Sequence, residues 1–451
     1  KKVLKNLNLI KKSLFIIFVI CLLFILVYNI LHFDPILGYD AEAHYSYVDT
    51  FSRYLPDSFH LPTANESREF FSPPLPYLFP SSIQVICRNI LSSQNLLEDC
   101  KPIYGKMTQI FQNILFLGSI YINLLTLRLF QEKRDFNFSF LILTMMLAAN
   151  YRTLSIIKGE IYILFFLSIL IYLLSKLEKN NFNYENRDIL KFGIIIGLLA
   201  LTRQWVFLIF PAFFIVYFKI KENKKSYLYF SSLSLIVGFI ISSWFYFYNL
   251  FRYGSLTAFN TEINKTINLE RISEFVSFDG ISNYIFTNPI RPYFENKFLP
   301  IFYSDVWGDY WGYFTFTSRF LEIGRNQLNI GAYLGRVNLL SLITISIIFY
   351  FYFKTIRDSN SQTLLFINYS IILSFIGYFI WVLLYQTGSQ GDTIKATYMT
   401  QAINLIVFIS AISIEKIKKP SNYLSIIFIL VLIFAHNFQS YLSHFPMFFP
   451  N

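Results

Sequence analysis

The chain reads as an all-α polytopic membrane protein of about eleven transmembrane helices, with two large extracytoplasmic loops that carry short interfacial helices. Three observations predict this. Of its 451 residues 55% are hydrophobic and 14% charged, where a soluble globule carries about 25% charged residues. Apolar runs long enough to span a bilayer recur along the whole sequence, and Lys and Arg collect in alternate gaps between them.

The runs fall at 13–32, 108–127, 138–151, 159–175, 190–202, 205–220, 227–249, 337–353, 363–385, 397–414 and 422–440. Only Thr202, Arg203 and Gln204 separate the fifth from the sixth. The first follows a basic start, as a signal peptide would, but its roughly twenty residues exceed an h-region and no small-x-small cleavage site follows, so it reads as a span.

With the N-terminus inside, the cytoplasmic segments 1–12, 128–134, 176–191, 219–225, 354–357 and 416–419 hold 21 of the 38 Lys and Arg residues. The short outer turns hold four: Arg152, Lys158, Arg203 and Lys395. That bias predicts a cytoplasmic N-terminus and an outer C-terminus. The two long loops, 33–107 and 250–336, then both lie outside, and all plausible chemistry is extracytoplasmic. No internal repeat or separate soluble unit is visible, so 1–451 reads as one domain. The net charge of +11 follows from topology, and no nucleic-acid partner is expected.

Cys87 and Cys100 share the first loop; a disulfide and two separate thiols are both open. Asn65-Glu66-Ser67 and Asn264-Lys265-Thr266 fit the N-glycosylation pattern, which arises by chance in an Asn-rich chain. A Walker A loop, a nucleotide-binding Gly pattern and a nucleophile elbow are all missing from the sequence, which argues against a cytoplasmic nucleotide-sugar enzyme.

The polar stretch from Gly38 to Tyr77 carries Asp40, Glu42 and His44 within five residues. On a helix, Asp40, His44 and Tyr47 share a face, while Glu42 points elsewhere. The plainer reading makes Asp40 the N-cap of a helix beginning near Ala41. Pro73 and Pro74 hold the chain extended, so a new amphipathic or re-entrant helix follows them.

Taken together, Asp40, His44, Tyr47, Glu69, Pro73, Pro74, Leu75 and Tyr77 resemble the first extracytoplasmic loop of GT-C fold glycosyltransferases. Within that superfamily the stretch looks most like bacterial relatives of protein O-mannosyltransferases and aminoarabinose transferases. The resemblance implies Asp40 as general base, although Ala41 separates it from Glu42 where many relatives have adjacent acids. Glu160, in the turn YRTLSIIKGEIYILFF, resembles the second acidic motif; its plainer reading is a helix start, with Lys158 snorkelling.

Arg203 stands alone between two apolar runs, suited to a phosphate or to an interfacial belt with Trp205. Lys395 and Tyr398 head a late span and resemble a donor-phosphate region. In FYSDVWGDYWGYF, Asp305 and Asp309 lie among Trp307, Trp311 and several tyrosines, a composition that suits a carbohydrate cleft or a simple aromatic belt.

The resemblance therefore implies an integral enzyme of the bacterial plasma membrane, among membrane lipids, that inverts a sugar's anomeric centre on transfer. The donor is a polyprenyl-phosphate-linked sugar and the acceptor a glycan, lipid or protein. Arg203, Lys395 and Tyr398, with Arg152 or Lys158, are expected to hold the phosphate. Glu42, His44 and Glu160 are expected to position acceptor and base. Tyr47, Glu69, Asp305, Trp307, Asp309 and Trp311 are expected to meet sugar or acceptor. No cofactor is assigned; a divalent cation, magnesium or manganese, is left open without assigned ligands. A transporter or flippase of a lipid-linked or small polar substrate is the alternative, and an inactive assembly subunit a third reading. Charges at the outer ends of spans and the missing repeat favour the transferase.

Overall fold

The computed structural model describes residues 2–55, 57–93, 100–131, 137–258, 269–277, 284–291, 294, 297–315, 325–384 and 393–444. Every regular element among them is helical. The second glycosylation triplet, Asn264 to Thr266, lies outside the described residues.

Eight helices among the described residues are long and apolar enough to cross a membrane: Asn8–His32, Lys101–Leu129, Glu160–Lys179, Lys224–Tyr253, Asn329–Arg357, Gln362–Leu384, Ala396–Glu415 and Pro420–Tyr441. The three other predicted spans are helical but short or broken. Asn186–Ala200 has 15 residues, or about 22 Å against a hydrocarbon core of about 30 Å. The next begins as a 3-10 turn, Gln204–Leu208, and turns α-helical at Pro211–Lys219; proline lacks the N–H that a continuing helix would use.

The segment 138–151 is two helices of eight residues, Phe138–Met145 and Ala148–Ser155. A break inside lipid leaves carbonyls without partners, and here side chains supply them. Asn150 Nδ2 donates to Thr144 O at 3.2 Å and Tyr151 Oη to Met145 O at 2.9 Å. Two glutamines on Lys101–Leu129 then close its far end: Gln109 donates to Ser155 O, Gln112 to Leu154 O and Ile156 O. Gln112 Oε1 also accepts the Lys158 backbone N–H at 3.0 Å. The turn that presents Lys158 is thereby fixed in place.

The predicted first loop holds two helices, Ala41–Tyr54 and Leu75–Ser93, and Lys101–Leu129 starts seven residues earlier than its apolar run. A Cys87–Cys100 disulfide ties the second of these helices to the start of the Lys101–Leu129 span. At the far end of the bundle Lys11 Nζ meets Glu415 Oε2 at 2.7 Å, joining the first and the penultimate spans.

Candidate active site

The first loop, the turns before Glu160 and Ala396, and the 3-10 turn after Arg203 converge on a cavity of about 1120 Å³. Asp40 stands on its wall. Its backbone is left-handed, φ 61°, and it makes no side-chain cap hydrogen bond to the helix that begins at Ala41. Asp tolerates this conformation better than most residues, and the turn directs the carboxylate away from the helix end. The capping alternative is therefore not realised. Gly38 allows the approach: at φ +127°, a Cβ there would meet Ile156 Cδ1 at 2.6 Å.

Two lysines from distant parts of the chain flank Asp40. Lys395 Nζ lies 2.8 Å and Lys158 Nζ 4.0 Å from Asp40 Oδ2. The ring of Tyr39 lies beside both ammoniums, 4.5 Å from Lys395 and 5.1 Å from Lys158. Burial alone would raise the Asp40 carboxyl, but Lys395 and Lys158 outweigh it and hold it well below the usual carboxylate range. Burial pulls the Lys158 amine down. Against the same burial, Asp40 holds Lys395 well above the ordinary lysine value.

Behind this trio is a second, fully buried layer. Lys158 Nζ is 3.1 Å from His44 Nε2, and His44 Nδ1 is 2.7 Å from Tyr77 Oη. With Lys158 donating to Nε2, the ring proton sits on Nδ1 and goes to Tyr77. Burial and the Lys158 charge lower His44 to about 3, so the ring is neutral. Tyr47 stacks on Tyr77 with centroids 3.8 Å apart. His44 and Tyr47 thus share a face, as the helical spacing predicts, while Asp40 meets them only through Lys158.

Arg203 is shared by two acids. Its Nε donates to Glu160 Oε1 at 3.2 Å, and one terminal nitrogen donates to Glu69 Oε2 at 2.7 Å and to Ser72 Oγ. Ser72 in turn donates to Glu69 at 2.5 Å. Burial would raise Glu69, but Arg203 outweighs it and holds the carboxyl at about 2. Glycine at 159 is what lets Arg203 arrive, since a Cβ would meet Arg203 Cγ at 2.6 Å and Thr202 O at 2.8 Å.

The positions predicted to bind ligand therefore separate into groups. Asp40, Glu42, Glu69, Arg203, Trp311, Lys395 and Tyr398 line the cavity. Tyr47, His44, Lys158 and Glu160 are buried just behind it. Lys158 is bonded to His44 and does not snorkel. Arg203 reaches the wall but carries two carboxylates, whereas Lys395 and Lys158 share one. An incoming anion therefore meets Lys395 together with two further cations of the lining, the exposed Arg68 and Arg291, which lies against the rings of Trp311 and Tyr313.

Arg152, Asp305, Trp307 and Asp309 do not line this cavity. Arg152 is buried against Asp305 at 3.4 Å and Asp309 at 3.9 Å, and donates to Gly308 O. Asp309 closes its own turn, accepting from the N–H groups of Gly312, Phe314 and Thr315. Asp305, pushed up to about 6 by burial, accepts the Ala396 N–H at 2.7 Å. Asp305 thereby holds the polypeptide that carries Lys395. Trp311 Nε1 adds a bond to Ile394 O, and Tyr378 Oη accepts the Lys395 N–H at 2.7 Å.

Ser72, Tyr39, Tyr378, Gln109 and Gln112 escaped the sequence reading. For the two glutamines a signal existed, because uncharged amides three residues apart inside a span are costly in lipid and face protein. Part of the lining is apolar: Trp205, Phe207, Leu208, Ile380, Trp381 and Leu384, with the Trp205 and Trp381 rings 4.8 Å apart. Among the described residues no three His, Cys, Asp or Glu side chains assemble as metal ligands.

No protein-family model and no curated protein matches the chain. Solved structures do. The Archaeoglobus fulgidus oligosaccharyltransferase AglB, in complex with an inhibitory peptide and a dolichol-phosphate, superposes with a TM-score of 0.53 at 15% identity over 98% of this chain and 56% of that one. The same organism's enzyme tethered to an acceptor peptide gives 0.53 at 12% identity, over 96% and 55%. ArnT from Cupriavidus metallidurans bound to undecaprenyl phosphate gives 0.49 at 12%, over 93% and 63%. The chain thus spans less than two thirds of the length of each. An all-helical membrane architecture with this superposition is a GT-C-like fold.

Proposed function

We propose that the protein is an inverting glycosyltransferase that moves a sugar from a polyprenyl-phosphate carrier to a glycan, lipid or protein acceptor outside the cytoplasm. The observation that carries this reading is the Asp40 carboxylate on the wall of the cavity, 2.8 Å from Lys395. A base and a phosphate-binding cation side by side are what such a transfer needs.

The carrier's phosphate binds at Lys395 beside Tyr398, and its chain lies along the apolar wall of Trp205, Phe207 and Trp381. An acceptor hydroxyl enters next to Asp40 and gives its proton to that carboxylate. The oxygen attacks the anomeric carbon from the side opposite the phosphate. As the new C–O bond forms, the bond from that carbon to the phosphate oxygen breaks, and Lys395 stabilises the charge on the departing carrier phosphate. Glu42, exposed in the first turn after Asp40, meets the acceptor. Arg203, Glu69 and Glu160 hold the walls in register. The solved oligosaccharyltransferase complex with dolichol-phosphate supports a carrier of this class, and the Cys87–Cys100 disulfide together with the Lys and Arg bias supports an extracytoplasmic site.

The test is consumption of an undecaprenyl-phosphate-linked hexose by the purified protein in nanodiscs, supplied with an envelope extract as acceptor. Asp40→Asn is expected to lower the rate about 10³-fold, within the range of a positioned base. A variant as active as the wild type sinks the assignment of Asp40, and movement of the intact donor across the membrane without sugar transfer makes the protein a flippase.

A further inference from the structure

The ammonium of Lys395 answers to two anions. At rest it is bonded to Asp40 at 2.8 Å, yet it also lines the cavity that would receive a carrier phosphate. Of the other basic side chains in the lining, Arg203 is taken by Glu69 and Glu160, and Arg68 and Arg291 make no ion pair with Asp40 among the described residues. Asp40 has few other partners. It makes no cap bond to its own helix, and the second lysine, Lys158, stands at 4.0 Å. Lys158 is bonded to His44, is fully buried, and does not line the cavity; it cannot follow a ligand.

We propose that the carrier phosphate and Asp40 compete for Lys395, so that binding of the carrier releases the Asp40 carboxylate for the acceptor. The inference rests on the transferase reading above and adds an order of events to it. In the free protein the carboxylate is occupied by an ammonium and is a poor base, which withholds it from water. When the phosphate draws Lys395 away, Asp40 loses its closest cation and gains an anion nearby, and both changes raise its basicity. Lys158 stays behind and keeps the carboxylate oriented. The seat of Lys395 is rigid enough for such a switch to reside in the side chain alone, since Tyr378, Trp311 and Asp305 fix the backbone from Ile394 to Ala396.

Competition makes a prediction of unusual sign, read by the affinity of undecaprenyl phosphate for the full chain in nanodiscs. Asp40→Asn removes the internal competitor and is expected to tighten binding about fivefold, the size of a partly exposed ion pair. Lys395→Met weakens binding, and adding Asp40→Asn to Lys395→Met changes it little further. If Asp40→Asn leaves affinity unchanged or weakens it, the competition is absent. Tightening of equal size in the Lys395→Met background means simple repulsion between carboxylate and phosphate, which also overturns the proposal. Wild-type protein that does not bind undecaprenyl phosphate removes the transferase reading itself, whereas binding with the wrong response to Asp40→Asn removes only the competition. Should Asp40→Asn fail to fold, Asp40→Ser carries the same expected sign.

Discussion

The two ends of the bundle each hold a lysine in contact with a carboxylate, at 2.7 Å for Lys11 and Glu415 and 2.8 Å for Lys395 and Asp40. Distance does not tell them apart. Their surroundings do. Glu415 is 2% exposed and its second oxygen accepts the Ser139 N–H and the Tyr423 hydroxyl, while Lys11 sits 4.1 Å from the Tyr423 ring. Asp40 is 39% exposed, makes no cap bond, and opens onto a cavity. A pair with every valence used is a clasp between helices; a pair with one side open is available to a ligand.

The sharpest way to break the comparison is to remove one carboxylate charge at each end. Glu415→Gln strands a buried ammonium, and loss of one partner of such a pair costs about 3–5 kcal/mol. Its expected signature is a large fall in the unfolding temperature in detergent, with sugar transfer per folded molecule unchanged. Asp40→Asn also leaves ammoniums without their carboxylate, but the site opens on a cavity, so it is expected to do the reverse: a fall in transfer of about 10³-fold with the smaller thermal shift. Equal thermal losses at both ends would mean that the Asp40 pair is a clasp too.

A smaller effect probes the buried layer that supports the open pair. His44 in the folded protein takes a proton only near pH 3, whereas an unfolded histidine does so near 6.5. The stability this contributes is complete above about 6.5 and declines as pH falls towards 3, by about 1.4 kcal/mol per unit, or about 2 kcal/mol at pH 5. The window from 6.5 to 5 lies above the titration of unfolded carboxylates. Asp305, raised to about 6 in the folded protein, gains stability as pH falls through the lower part of that window, so the readout is the difference between the two proteins: lowering the pH should cost the wild type more unfolding temperature than it costs His44→Gln. Parallel slopes would show that the ring is not held neutral.

The same contrast explains what could be read from the sequence. Lys395, Glu160 and Arg203 stood out because a charge beside an apolar span needs a reason, Asp40 through its polar cluster and Glu69 through the family resemblance; Asp40, Glu69, Arg203 and Lys395 line one cavity and Glu160 is buried against Arg203. What the sequence could not say is which charge neutralises which. Arg152 and Asp305 are 153 positions apart, and nothing local reveals that they pair with each other and support Lys395 from behind instead of meeting ligand. Hydropathy likewise registers 138–151 as one apolar run; the break at Met146 and Leu147 depends on Asn150 and Tyr151 finding the freed carbonyls. Pairing and breakage are tertiary facts, and the apolar pattern carries neither.

The smallest effect concerns Tyr39, whose ring faces both lysines of the open pair. Ring centroids at 4.5 and 5.1 Å from two ammoniums place each cation within range of the negative face of the π system, an attraction of about 0.5–2 kcal/mol where water is scarce. Lys11 has a comparable ring in Tyr423 at 4.1 Å, but there the lysine has nowhere to go, so losing the ring should register only as stability. At Tyr39 the ring does something different: it stabilises a charged Lys395 whether that lysine is on Asp40 or on a phosphate, and so eases its passage between them. Tyr39→Phe keeps the ring and should leave undecaprenyl phosphate affinity and sugar transfer unchanged. Tyr39→Leu removes it; an attraction of equal size in both positions cancels from the equilibrium affinity, so binding should stay within about twofold while sugar transfer slows about threefold, at the lower end of that range. A slowing of the same size in Tyr39→Phe would assign the contribution to the hydroxyl and not to the ring.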